Sequence, residues 1–130
     1  EALKMIKEEG LANVFERHKK LALATQAGVK ALGLELFPKE EVSSYIITAV
    51  KAPEGIDIEK VRKTMQLKYD VQIAGGQKHL KGKIFRIGHC GYTDRFDLIR
   101  AFSALESALD DNGYKVDKGV SVREIQKILG

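Results

Sequence analysis

The stretch Gly82-Lys83-Ile84-Phe85-Arg86-Ile87-Gly88-His89-Cys90-Gly91 constrains this chain more than any other, because it reads as a buried strand with one charge in its middle. Side chains alternate along a strand, so Phe85 and Ile87 share one face while Ile84, Arg86 and Gly88 share the other. Gly88 leaves a gap beside the guanidinium. A planar fork of donors, held on a rigid strand next to an absent side chain, suits a two-point grip on a carboxylate or phosphate. An exposed edge position, or a pairing with a neighbouring acid for structure alone, would explain the same pattern. Periodicity does not choose between these readings.

The rest of the composition narrows the class. With 130 residues, 44% of them hydrophobic and 31% charged, the chain is long and apolar enough for one domain around a real core. Its net charge of +4 is mild, and the basic residues are mixed with acids, as where Lys4 and Lys7 precede Glu8 and Glu9. A nucleic-acid partner is therefore not demanded. The single cysteine, Cys90, excludes an internal disulfide, supports no metal site and makes a reducing cytoplasm the default location. No apolar run reaches the roughly 18 residues of a membrane helix, and no signal peptide is visible. The chain starts at Glu1 within a helical pattern, which suggests a piece of something longer.

Taken in order, Ala2 to Lys7 look helical. After Gly10, the set Leu11, Val14, Phe15, His18, Leu21, Ala22, Thr25, Val29 and Leu32 keeps one side of a long helix apolar. Gly33 is placed for a left-handed cap, and Pro38 prevents a restart. His18 lies on the stripe, and no residue of catalytic type follows or precedes it at a useful sequence spacing, so it reads as a core or boundary residue. Val42 to Val50 form a β-branched strand that ends in the turn Ala52-Pro53-Glu54-Gly55. Asp57 caps a helix through about Tyr69, with Ile58, Val61 and Met65 inside and Lys60, Arg62 and Lys63 on a solvated face. Val71 to Ala74 read as a short strand broken by Gly75-Gly76; that glycine pair could cradle an anion but lacks a phosphate-binding spacing.

Past the central strand, Thr93 reads as an N-cap with Asp94 in the first turn. Leu98, Phe102, Leu105 and Leu109 line a helix that stops at Asn112-Gly113. Ser121 with Glu124 reads as a capping box for a last helix, Val122 to Leu129. The order helix, strand, helix, strand, strand, helix, helix predicts an α+β domain: a small, mostly antiparallel sheet with helices packed on one face. The chain carries no serine-nucleophile elbow, no carboxylate pair around a cleft and no Cys/His ligand cluster. His79 and His89 flank the central strand, and Cys90 reads as a small packing residue.

Several blocks together carry a likeness: Glu9-Gly10-Leu11 with Phe15-Glu16-Arg17-His18, then Leu32-Gly33-Leu34-Glu35-Leu36-Phe37, Ile73-Ala74-Gly75-Gly76-Gln77, and Lys83 to Gly91. From Ala2 to about Asp111 the chain resembles the C-terminal small domain of the class V aminotransferases, the alanine–glyoxylate and serine–pyruvate group within fold type I. Some members of that group carry the label of a soluble hydrogenase small subunit. The resemblance implies a pyridoxal 5'-phosphate enzyme acting on small amino-acid and keto-acid substrates. It implies a two-domain subunit, usually in a homodimer, with no nucleic-acid or membrane partner. It also implies that residues 1–9 end a helix leading from a large domain that supplies the Schiff-base lysine and holds the cofactor. No lysine of this chain matches that lysine, so the 130 residues alone should be inactive.

One site residue carries over from the family: the arginine of its Arg-Ile-Gly motif, which binds the substrate α-carboxylate, matches Arg86. Two other classes stay open. A stand-alone regulatory domain would use Arg86 and the Gly75-Gly76 turn for an anionic effector. A nucleic-acid module would need exposed stacking aromatics, whereas Phe85, Phe96 and Phe102 read as core.

Overall fold

The computed structural model describes residues 11–36, 47–76, 81–88 and 95–130. Among these the elements run α1 (Leu11–Ala31), β1 (Ile47–Lys51), α2 (Ile58–Tyr69), β2 (Ala74–Gly75), β3 (Ile84–Gly88), α3 (Arg95–Asp111) and α4 (Val120–Leu129). This is the predicted order. The expected helix over Ala2–Lys7, the start of the first strand over Val42–Ile46, His79, His89, Cys90, and the Thr93 cap with Asp94 lie outside the described residues.

The sheet has the order β1-β3-β2 and is antiparallel throughout. Pairing sets Thr48 opposite Ile87 and Val50 opposite Phe85, and this face joins the core. Onto it pack Val29 and Leu32 from the α1 end, Ile58, Val61 and Met65 of α2, Leu98, Phe102, Leu105 and Leu109 of α3, and Ile125 of α4. Burying a large apolar side chain of this kind stabilises the fold by about 1.5–3 kcal/mol, so this one cluster dominates. The α+β reading is correct.

Local signals explain where the helices stop. Gly33 has φ +78°, and the two bonds of a Schellman motif close α1: Leu34 N–H to the Val29 carbonyl at 3.2 Å and Gly33 N–H to that of Lys30 at 3.0 Å. The same device ends α3, with Gly113 in the left-handed region and Tyr114 N–H on the Leu109 carbonyl at 2.9 Å. The Asp57 carboxylate caps α2 as expected, accepting from the backbone N–H groups of Glu59 and Lys60.

Three expectations need correction. The last helix starts at Val120, with Gly119 rather than Ser121 at its N-cap, and Glu124 pairs with Lys127 instead of closing a capping box. The donors at that helix start are taken by Glu106, reaching across from α3. Phe96 is 70% exposed and not part of the core, because it precedes the buried face that begins at Leu98; the Arg95 guanidinium lies over its ring instead. Finally, β2 starts at Ala74 and includes Gly75, which was expected to break it.

Candidate functional site

Arg86 occupies the middle of β3, the central strand, on the face opposite Phe85 and Ile87. Its cross-strand neighbours are Ala49 on β1 and Ala74 on β2. Both are single methyl groups, so the arginine stem is not crowded from either side. Arg86 is half-buried, and its Nε donates to the Gly75 carbonyl at 2.9 Å. Among the described residues Gly75 is the acceptor for this guanidinium, and it engages Nε alone.

The Gly75 carbonyl is available because of strand register. Opposed residues in an antiparallel pair alternate between hydrogen-bonded and non-bonded positions. Gly76 N–H donates to the Ile84 carbonyl at 3.2 Å. That phase turns the carbonyls of Ile73 and Gly75 away from β3, toward the open edge of the sheet. Unpaired edge carbonyls need donors, and two arginines supply them. Arg86 takes Gly75, while Arg62 Nε on α2 donates to Ile73 at 3.1 Å.

Arg62 thus departs from the solvated face expected for it. Lys60 and Lys63 are exposed, but Arg62 is half-buried and its Nη1 is 2.5 Å from Glu59 Oε1, one turn away on α2. The pair lies where a side chain on residue 75 would be: a Cβ there would sit 2.6 Å from Arg62 Nη1 and 3.0 Å from Glu59 Oε2. Gly75 is therefore the residue that admits the pair to the strand edge. Oε2 of Glu59 is buried and has no hydrogen-bond donor among the described residues. The sequence did carry a trace of this arrangement, an i, i+3 Glu–Arg pair on the helix that precedes Gly75-Gly76. A charge run on a helix reads as solvated unless its backbone partner is known.

Other features lie apart. A groove of about 520 Å³ between the first half of α1, Arg95 and Leu129 does not include Arg86, nor does a hollow of about 290 Å³ between Asp70, Ile87 and Arg100. Among the described residues no three His, Cys, Asp or Glu side chains are grouped to hold a metal ion, and no helix is long and apolar enough to cross a membrane. His18 is half-buried on α1. Every described lysine is exposed, whereas a lysine that carries a covalent cofactor is activated by desolvation or a neighbouring cation.

No family model matches the chain. It is 46% identical over 122 residues to an uncharacterized aminotransferase of Methanocaldococcus jannaschii, covering 93% of this chain and 32% of that one. It is 42% identical over 130 residues to serine–glyoxylate aminotransferase of Methylorubrum extorquens, covering 99% and 32%. Among solved structures, ureidoglycine–glyoxylate aminotransferase from Bacillus subtilis superposes with a TM-score of 0.91 at 32% identity, covering 96% of this chain and 33% of that one. The chain thus spans about a third of the length of the relatives it matches. Aligned over nearly all of its own length and sharing their fold, it belongs with the class V aminotransferases, as the C-terminal part of that family's subunit.

Proposed function

We propose that this chain is the part of a pyridoxal-phosphate-dependent aminotransferase that receives the substrate's α-carboxylate, through Arg86. The amino donor is a small amino acid, serine or alanine, and the acceptor a keto acid, glyoxylate or pyruvate. Supporting this choice are relatives whose names include serine–glyoxylate and pyridoxamine–pyruvate transamination. In this reading the rest of a longer polypeptide holds the cofactor and supplies its lysine. The intact protein is a homodimer, and the 130 residues alone are inactive.

The observation that carries the reading is the hydrogen bond from Arg86 Nε to the Gly75 carbonyl. It anchors the guanidinium to the sheet before any substrate arrives, so little side-chain freedom remains to be lost on binding. An arginine so held presents a fixed fork to a carboxylate, which a mobile surface arginine does not. Ala49 and Ala74 beside it leave the approach open.

The test uses the longer polypeptide that carries this domain. Serine and alanine are titrated while the cofactor's visible absorption is followed, in the unaltered protein and in Arg86→Ala. The variant should retain cofactor and need about a hundredfold more substrate, as expected when one member of a desolvated charge pair is removed. An affinity within a factor of two of the unaltered protein would refute the role.

A further inference from the structure

We infer that Arg62, buttressed by Glu59, is a positioning residue for Arg86, and that this arrangement leaves only the Nη1/Nη2 edge of Arg86 for an incoming carboxylate. The inference rests on the carboxylate role proposed above for Arg86. A guanidinium can meet a carboxylate side-on, through Nε and one Nη, or end-on, through both Nη groups. Nε is already committed to Gly75. The end-on edge remains.

How firmly that edge is aimed depends on where the Gly75 carbonyl sits. Among the described residues β2 pairs with β3 through Ala74 and Gly75, with one further bond from Gly76 N–H to the Ile84 carbonyl, so the ladder alone is a short anchor. Arg62 grips the same edge from the helix side, at the carbonyl of Ile73, two residues before the one Arg86 uses. Arg62 is in turn fixed by Glu59, whose Oε1 takes its Nη1. The strand edge is therefore held from one face by α2 and used from the other face by Arg86. Removing the grip lets the Gly75 carbonyl drift and frees Nε, and the fork then samples orientations that do not match a bound carboxylate.

Gly75→Ala tests the same link by a different route. The added methyl would fall 2.6 Å from Arg62 Nη1 and 3.0 Å from its Cζ. Those atoms end a flexible side chain, so the guanidinium yields rather than the backbone. Both substitutions should therefore unseat Arg62.

The experiment is steady-state kinetics on the longer cofactor-loaded enzyme with serine and glyoxylate. Arg62→Ala and Gly75→Ala should each raise the KM for glyoxylate about tenfold while leaving kcat within about a factor of two, the pattern of lost binding without lost chemistry. In an Arg86→Ala background neither should raise KM further, because residues that act as one unit are not additive. The inference is overturned if Arg62→Ala and Gly75→Ala leave KM within a factor of two, or if their effects persist undiminished without Arg86. If Arg86→Ala itself changes nothing, the carboxylate reading fails and takes this inference with it. Should Arg62→Ala give no soluble enzyme, Gly75→Ala decides by the same criteria.

Discussion

Glu106 on α3, only 3% exposed, accepts hydrogen bonds from both the backbone N–H and the hydroxyl of Ser121 at the head of α4. Its other oxygen accepts from Gly119 N–H at 2.7 Å. The first N–H groups of a helix have no partner within it, and their dipoles favour a negative charge. A carboxylate from a neighbouring helix meets both needs, and it locks α4 to α3 without any capping side chain on α4 itself.

Glu106→Ala would strand all three donors in a buried site. The expected loss is about 3 kcal/mol or more, because each unsatisfied buried group carries its full desolvation cost. Ser121→Ala removes the hydroxyl alone and should cost about 1 kcal/mol. Chemical denaturation of the two variants checks the order; a Glu106→Ala loss smaller than that of Ser121→Ala would contradict it.

Gly28 on α1 is a second close-packed point. A Cβ there would lie 2.9 Å from Phe102 Cε1 and 3.0 Å from Ile125 Cδ1, and both of those side chains are fully buried. Alanine improves helix propensity by about 1 kcal/mol. Overpacking a ring that cannot retreat costs about 1–3 kcal/mol. Packing should win, so Gly28→Ala is expected to lower the thermal midpoint, and a raised midpoint would show that α1 can shift outward.

Asp111, at the end of α3, holds a carboxyl below the usual range because the Tyr69 hydroxyl and the Lys68 ammonium both donate to it. The bond to Asp111 in turn raises Lys68. A depressed carboxyl stabilises the fold above the ordinary carboxylate range, and that contribution is lost as pH falls through the lowered value. A raised lysine stabilises below its ordinary value, and its contribution fades as pH climbs through the higher one. Asp111→Asn should therefore melt below the unaltered domain at neutral pH, and the two curves should converge in acid. A gap that persists unchanged at low pH would exclude the linkage.

What the sequence made legible was local. Left-handed glycines at 33 and 113, the Asp57 cap and the apolar spacing of Leu98, Phe102, Leu105 and Leu109 all act over one or two turns. Alternation along β3 was enough to set Arg86 apart from Phe85 and Ile87. Glu106 was not legible because its partners lie 13 and 15 residues away on another helix, while Ser121 and Glu124 offered a plausible local cap. Arg62 was hidden for a similar reason: its carbonyl partner is 11 residues on, at a strand edge whose register no local pattern specifies. Half of the candidate site, the arginine, was visible; the half that holds it in place depends on tertiary pairing.

The last prediction separates charge from shape at Arg86. Lysine would keep the positive charge but offers one ammonium on a flexible stem, where arginine offers a planar fork. That ammonium can satisfy the Gly75 carbonyl or the substrate carboxylate, whereas Arg86 has Nε for the first and two Nη groups for the second. Arg86→Lys should therefore recover less than about a tenth of the affinity lost in Arg86→Ala, although the net charge is unchanged. Substrate titration of the cofactor-loaded enzyme measures both variants. Near-complete recovery by lysine would mean that the site needs a cation and not a fork, and the end-on geometry would have to be abandoned.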